Sequence, residues 1–366
     1  MPRNIVLCCD GTANEFAVDR TNVLKLYYCL VQDPERQIVY YHPGLGTMEP
    51  PGALGPVTRR VTRWLGLALG SGLEADVRDA YVFLMNNFEP DDRLYMFGFS
   101  RGAYTVRAVA SLLCMYGLLP KGNESFVPYA VRMLTAVNLA PEGERSVAFK
   151  LASQFRETFD PVGRCRPHLV GVWDTVSSVG WVEHQLRLPY SANNPFIAHG
   201  RHAVAIDERR AFFRTNLWWP STSPEKAGPK DLKQVWFPGV HCDVGGGYPE
   251  FESGLSKIAL KWMIDEAVAL DLLVDEERRA TMLGDRGKGF VKPDPNGCMH
   301  ESLSGAWWLA EIVPKIHYDR DLKSSGRRMN LGRRRELPAT PNVHAAAWQR
   351  GGGYSSRLPE DAVSTE

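Results

Sequence analysis

An α/β fold with a mostly parallel central sheet, helices on both faces and helical or loop insertions is predicted by three observations. Short apolar runs alternate with helical periodicity along most of the chain. A G-x-S-x-G turn joins one such run directly to a helical pattern. Polar side chains gather just after the ends of several runs, where open parallel sheets place their sites.

The runs Asn4–Cys9, Gln37–Tyr41, Arg93–Phe99, His168–Trp173 and Gln234–Pro238 read as strands, and their largely apolar character suits strands covered on both faces. Val23–Val31, Leu73–Phe88, Arg101–Leu113, Tyr129–Leu139 and Leu255–Leu270 carry the apolar spacing of helices. No internal repeat and no linker rich in Gly, Pro or Ser marks a boundary, so residues 1–366 are read as one elaborated domain. Within it, 50–73 is a lid candidate, with Val57, Val61, Trp64, Leu65 and Leu67 set among Arg59, Arg60 and Arg63. Residues 300–366 read as a C-terminal extension packed on the core, with a polar tail from Tyr354 to Glu366 that is expected to fray.

With a net charge of +1 and 44% hydrophobic residues, the chain is globular, and nothing in its charge argues for nucleic acid. Met1 to Asn4 lead straight into a strand with no signal-peptide layout, and no apolar stretch is long enough to span a bilayer; the expected location is the cytoplasm. The seven cysteines are odd in number, scattered and without C-x-x-C spacing, so they read as reduced core residues, with no metal site.

In Gly98-Phe99-Ser100-Arg101-Gly102 the two glycines leave room for a strained strand-to-helix turn that projects the serine hydroxyl clear of the sheet. A bare G-x-S-x-G should arise by chance in roughly one chain in ten of this size. The strand before it and the helix after it make Ser100 the candidate nucleophile, and Arg101 N–H the first oxyanion donor. After the opening strand, Cys9-Asp10-Gly11-Thr12 offers further donors at Gly11 and Thr12. Asp10 has an alternative use there as the cap of an Asx turn. Asp174, after Gly171-Val172-Trp173, fits the carboxylate that orients an imidazole. His241, after Trp236-Phe237-Pro238-Gly239-Val240, opens a glycine-rich loop and fits the general base. Ser100, Asp174 and His241 then stand in the Ser, Asp, His chain order of α/β-hydrolases. His300 is the main competitor for the base, and Asp243 for the acid.

Taken together, the D-G-T-x-N opening, Tyr41 to Thr47, Gly70-Ser71-Gly72, the elbow, Gly171 to Val176, Ala205-Ile206-Asp207-Glu208-Arg209 and His241 to Tyr248 are specific. They resemble the α/β-hydrolase domain family that includes phospholipase effectors of type VI secretion, from Asp10 to about Trp262. The resemblance implies an α/β-hydrolase fold, a triad of Ser100, Asp174 and His241, and cleavage of ester bonds in phospholipids. The expected activity is therefore that of a serine esterase acting on carboxylic esters, lipid or phospholipid esters above all, through an acyl-enzyme and without cofactor. Two alternatives are a patatin-like dyad of Ser100 with Asp243, and an idle binding protein that kept the fold. Arg327-Arg328 and Arg333-Arg334-Arg335 read as an exposed basic loop, a candidate for peripheral contact with anionic head groups.

Overall fold

The computed structural model describes residues 2–11, 20–44, 71–137, 141–160, 163–176, 188–219, 228–305, 307–319 and 324–366. Thr12 and most of the lid candidate, 50–70, lie outside them. Its centre is a sheet in which every recorded pairing is parallel. The strands are β1 (Asn4–Cys9), β2 (Gln37–His42), β3 (Arg93–Phe99), β4 (Pro167–Trp173), β5 (His199–Ala205) and β6 (Asp231–Phe237). An antiparallel hairpin, β7 (Lys315–Asp319) and β8 (Ser324–Arg328), stands apart. The short strands β9 (Asn342–His344) and β10 (Val363–Thr365) extend the main sheet, in the order β10-β9-β6-β5-β4-β3-β1-β2.

Strand alternation assigns side chains to two packed layers. Ile5, Leu7, Leu94, Met96, Val170 and Val172 face the helices Ser71–Asn87, Arg101–Tyr116 and Val127–Ala136. Val6, Cys8, Tyr95, Phe97, Leu169 and Trp173 face Asn22–Cys29 and Gly254–Val268. The helix behind the elbow is buried along its whole length from Gly102 to Tyr116, which is why its sequence is apolar nearly all round.

The structure departs from the sequence reading at two places on this sheet. Strand β5 is not legible in the sequence because its first half, His199-Gly200-Arg201-His202, is polar; Arg201 meets Glu266 at 2.5 Å and Asp231 at 2.6 Å, and His202 is fully buried. The tail does not fray. Tyr354 is buried and donates to Asp207 Oδ2 at 2.6 Å, while Val363–Thr365 pairs with β9.

Candidate active site

Parallel registration carries the site to the carboxyl ends of the central strands. Phe99 on β3 aligns with Trp173 on β4, Trp173 with Ala203 on β5, and Ala205 with Phe237 on β6. The ladder continues one residue further, through Ser100 N to Trp173 O at 3.2 Å and Asp174 N to Ala203 O at 2.7 Å. Ser100, Asp174 and the loops after β5 and β6 therefore leave the carboxyl ends side by side.

Ser100 has φ 57° and Asp174 φ 38°, both in the left-handed region that side chains avoid. Each such residue costs on the order of 1–3 kcal/mol, and such strain is concentrated at functional sites. The elbow is tight enough to exclude side chains. A methyl at Gly102 would lie 2.0 Å from the Cys9 carbonyl oxygen, and one at Gly98 would lie 2.4 Å from that of Gly102.

His241 opens a short helix, His241–Gly245, behind β6. Its Nδ1 lies 2.5 Å from Asp174 Oδ2, and its ring sits between Phe99 at 4.6 Å and Phe213 at 4.8 Å between centroids. Burial lowers the imidazole below its usual value, against the opposing pull of Asp174. Burial alone would raise the Asp174 carboxyl; Arg335 and His241 overcome this and hold it well below the usual carboxylate range. Nε2 of His241 makes no hydrogen bond to a described residue, Ser100 Oγ included; the ring approaches the elbow through Phe99, next to the serine.

Around the histidine lie groups that sequence reasoning did not assign. Glu208 accepts from His241 N at 3.2 Å, from Arg210 Nε at 2.9 Å and from Ser302 Oγ at 2.9 Å. Burial would raise this carboxyl, but Arg210 brings it down to about 2. Asp207 accepts from Gly239 N at 2.8 Å and so fixes the turn leading into His241. Both acids belong to the Ala205 to Arg209 string, whose signal was visible but without a role. His202 accepts from Thr175 N at 3.2 Å and supports the Asp174 loop; burial lowers it to about 3, so it is neutral.

Arg335 corrects the basic-loop reading. Arg327, Arg328, Arg333 and Arg334 are exposed, but Arg335 turns inward and lays its guanidinium on Asp174. A buried carboxylate already facing a histidine draws the one arginine of the run that reaches it.

The remaining candidates separate. Gly11 lies against the elbow, where an added methyl would stand 3.3 Å from Ser100 Cβ; its N–H donates to Asp10 Oδ1 at 2.7 Å. Asp10 also accepts from Thr21 Oγ1 at 2.5 Å and Tyr41 OH at 3.0 Å, in keeping with a structural use as the anchor of the loop after β1. Arg101 is the first residue of the elbow helix, where backbone N–H groups lack intrahelical acceptors. Asp243 is brought to His300, at 2.6 Å from its Nδ1, and not to Ser100.

Known proteins resemble this chain over much of its length. It is 37% identical over 226 residues to the uncharacterized protein YEL023C of Saccharomyces cerevisiae. That match takes in 60% of this chain and 33% of the yeast protein, so the chain spans about a third of the length of this curated relative. A solved structure of an uncharacterized protein from Pseudomonas aeruginosa is similar with a TM-score of 0.43 and 21% identity, over 76% of this chain and 47% of that one. Residues 3–266 match the family described as T6SS, phospholipase effector Tle1-like, catalytic domain, and the chain belongs to that family.

Proposed function

We propose that this chain is a serine hydrolase of lipid carboxylic esters, phospholipids foremost, working through Ser100, His241 and Asp174. The buried Asp174–His241 pair, with the strained serine elbow at the carboxyl ends of the same strands, is the observation that carries this reading. His241 Nε2 takes the Ser100 proton as Oγ attacks the ester carbonyl, and Asp174 holds the ring in the tautomer with its proton on Nδ1. The developing oxyanion takes a hydrogen bond from Arg101 N–H and a second from the loop after β1, at Gly11 or Thr12. Gly11 N–H must first swing off Asp10, to which it donates at 2.7 Å. Collapse of the intermediate expels the alcohol with the proton held by His241, and water activated by the same ring releases the acid. This chemistry needs no metal or organic cofactor.

The lipid preference rests on the family's description as phospholipase effectors. Each buried methylene of an acyl chain contributes up to about 0.8 kcal/mol, roughly a fourfold gain in kcat/KM, until the acyl site is filled. A series of p-nitrophenyl esters from acetate to decanoate should therefore rise with length, and phospholipid vesicles should release fatty acid. Ser100→Ala should lower both rates by about 10³-fold or more. Acetate as the best substrate with no release from vesicles would replace the lipase reading by a small-ester one. Full turnover by a folded Ser100→Ala protein would remove the serine mechanism.

A further inference from the structure

Asp174 is engaged from two sides. His241 Nδ1 holds Oδ2, and from the other side Arg335 places Nη1 2.5 Å from Oδ1 and Nη2 3.0 Å from Oδ2. The arginine side chain is only 8% exposed, and it also donates to the carbonyl oxygens of Ala205 at 3.0 Å and Phe213 at 2.5 Å. A planar guanidinium matches a carboxylate in this two-point geometry as no other side chain does. Phe213, whose carbonyl it holds, is one of the two rings that enclose His241. One contact therefore fixes both the acid and a wall of the base.

Arg335 lies beyond the family match, which ends at residue 266, and it does not act alone. From the same region Ser302 donates to Glu208 at 2.9 Å and Tyr354 to Asp207 at 2.6 Å. Glu208 and Asp207 are the acids that receive His241 N and Gly239 N. We propose that Arg335 is a positioning residue of the hydrolytic site, acting through Asp174, and that the C-terminal region thereby completes the active site. This rests on reading Ser100, His241 and Asp174 as the catalytic unit.

Arg335 acts through its fork and through its charge. Together with Ala205 N, which donates to Oδ1 at 3.0 Å, the fork holds the carboxylate toward His241. The arginine adds a positive charge that draws on the carboxylate, leaving less of it to stabilise an imidazolium at His241. The other groups facing the pair are Glu208 and Arg210 around His241, and the thiol of Cys242 and neutral His202 around Asp174. Among the described residues, Arg335 is the cation bonded directly to the acid.

Removing that charge returns Asp174 to His241 and raises the histidine. In Arg335→Met, the acid limb of kcat/KM should move up by about one pH unit. Its plateau kcat should fall by about 10- to 100-fold through lost alignment. Arg335→Lys should move the limb less, since an ammonium keeps the charge without the fork. The His241 ring titration, followed by NMR and assigned through His241→Ala, should shift in the same direction. It reads the coupling even if the wild-type protein hydrolyses none of the esters tried, so failure of the proposed function and failure of this inference are separable. A folded Arg335→Met protein whose His241 titrates at the wild-type midpoint would overturn the inference. Should that variant not fold, the same titration on Arg335→Gln, which removes the charge but keeps a hydrogen-bond donor, decides: a raised midpoint supports the coupling, and the wild-type midpoint refutes it.

Discussion

Two of the histidine–aspartate pairs among the described residues have nearly equal Nδ1-to-carboxylate distances: 2.5 Å for His241–Asp174 and 2.6 Å for His300–Asp243. Their surroundings differ. His241 is enclosed by Phe99 and Phe213, and its Nε2 has no hydrogen bond to a described residue. His300 has its Nε2 3.2 Å from Glu252 Oε2 and Tyr248 stacked 3.5 Å from its ring. Asp174 is shared with an arginine, whereas Asp243 also receives Val240 N at 3.0 Å and His300 N at 3.1 Å. A His–Asp pair can serve as a base only where the far nitrogen is left open. The second pair has both ring nitrogens occupied, and it fastens the turn from which the His241 helix starts.

The sharpest way to break this comparison is to remove each histidine in turn. His241→Ala should lose about 10³-fold or more in ester hydrolysis, as Ser100→Ala does, because members of one catalytic unit fail together. His300→Ala should keep most of its activity and instead lose about 1–3 kcal/mol of stability, since Asp243 is left buried with part of its hydrogen bonding gone. Parallel measurements of kcat/KM and denaturant midpoint separate the two losses. Equal activity losses would make the second pair part of the chemistry.

A smaller effect concerns pH. Burial lowers His241 below its usual value of about 6.5, so the neutral base persists to mildly acidic pH, and the acid limb of kcat/KM should have its midpoint below that value. The sign for stability is separate. A depressed histidine disfavours its charged form in the fold, so it costs stability as pH falls from about 6.5 toward the folded value. Asp174 is depressed too, but as an acid: its contribution is present above about 3.9 and is lost only as pH falls through its much lower folded value. Loss of activity below pH 6.5 should thus precede any loss of circular dichroism, and a limb above 6.5 would contradict the burial of the imidazole.

What the sequence made legible follows the same physics. Strands β1, β3 and β4 are legible because burial on both faces makes them apolar beyond their first residues, and the elbow because Gly98 and Gly102 meet backbone at distances no side chain tolerates. Strand β5 was illegible because its buried polar residues find partners far away in sequence: Arg201 with Glu266, His202 with Gln234. Arg335 was illegible for the same reason. In the sequence it is one of three adjacent arginines, and only its meeting with Asp174, 161 positions away, distinguishes it from exposed Arg333 and Arg334. Local pattern reports burial and backbone strain; it does not report which distant charge completes a pair.

The account's central claim is that Ser100 is a nucleophile activated by His241. Reaction of the intact protein with a fluorophosphonate, followed by peptide mass spectrometry, tests it most directly. The account predicts one phosphonylated residue, Ser100, with labelling slowed by roughly 10³-fold in His241→Ala and little changed in His300→Ala. An adduct on another serine, or labelling of Ser100 at the same rate in all three proteins, would contradict it.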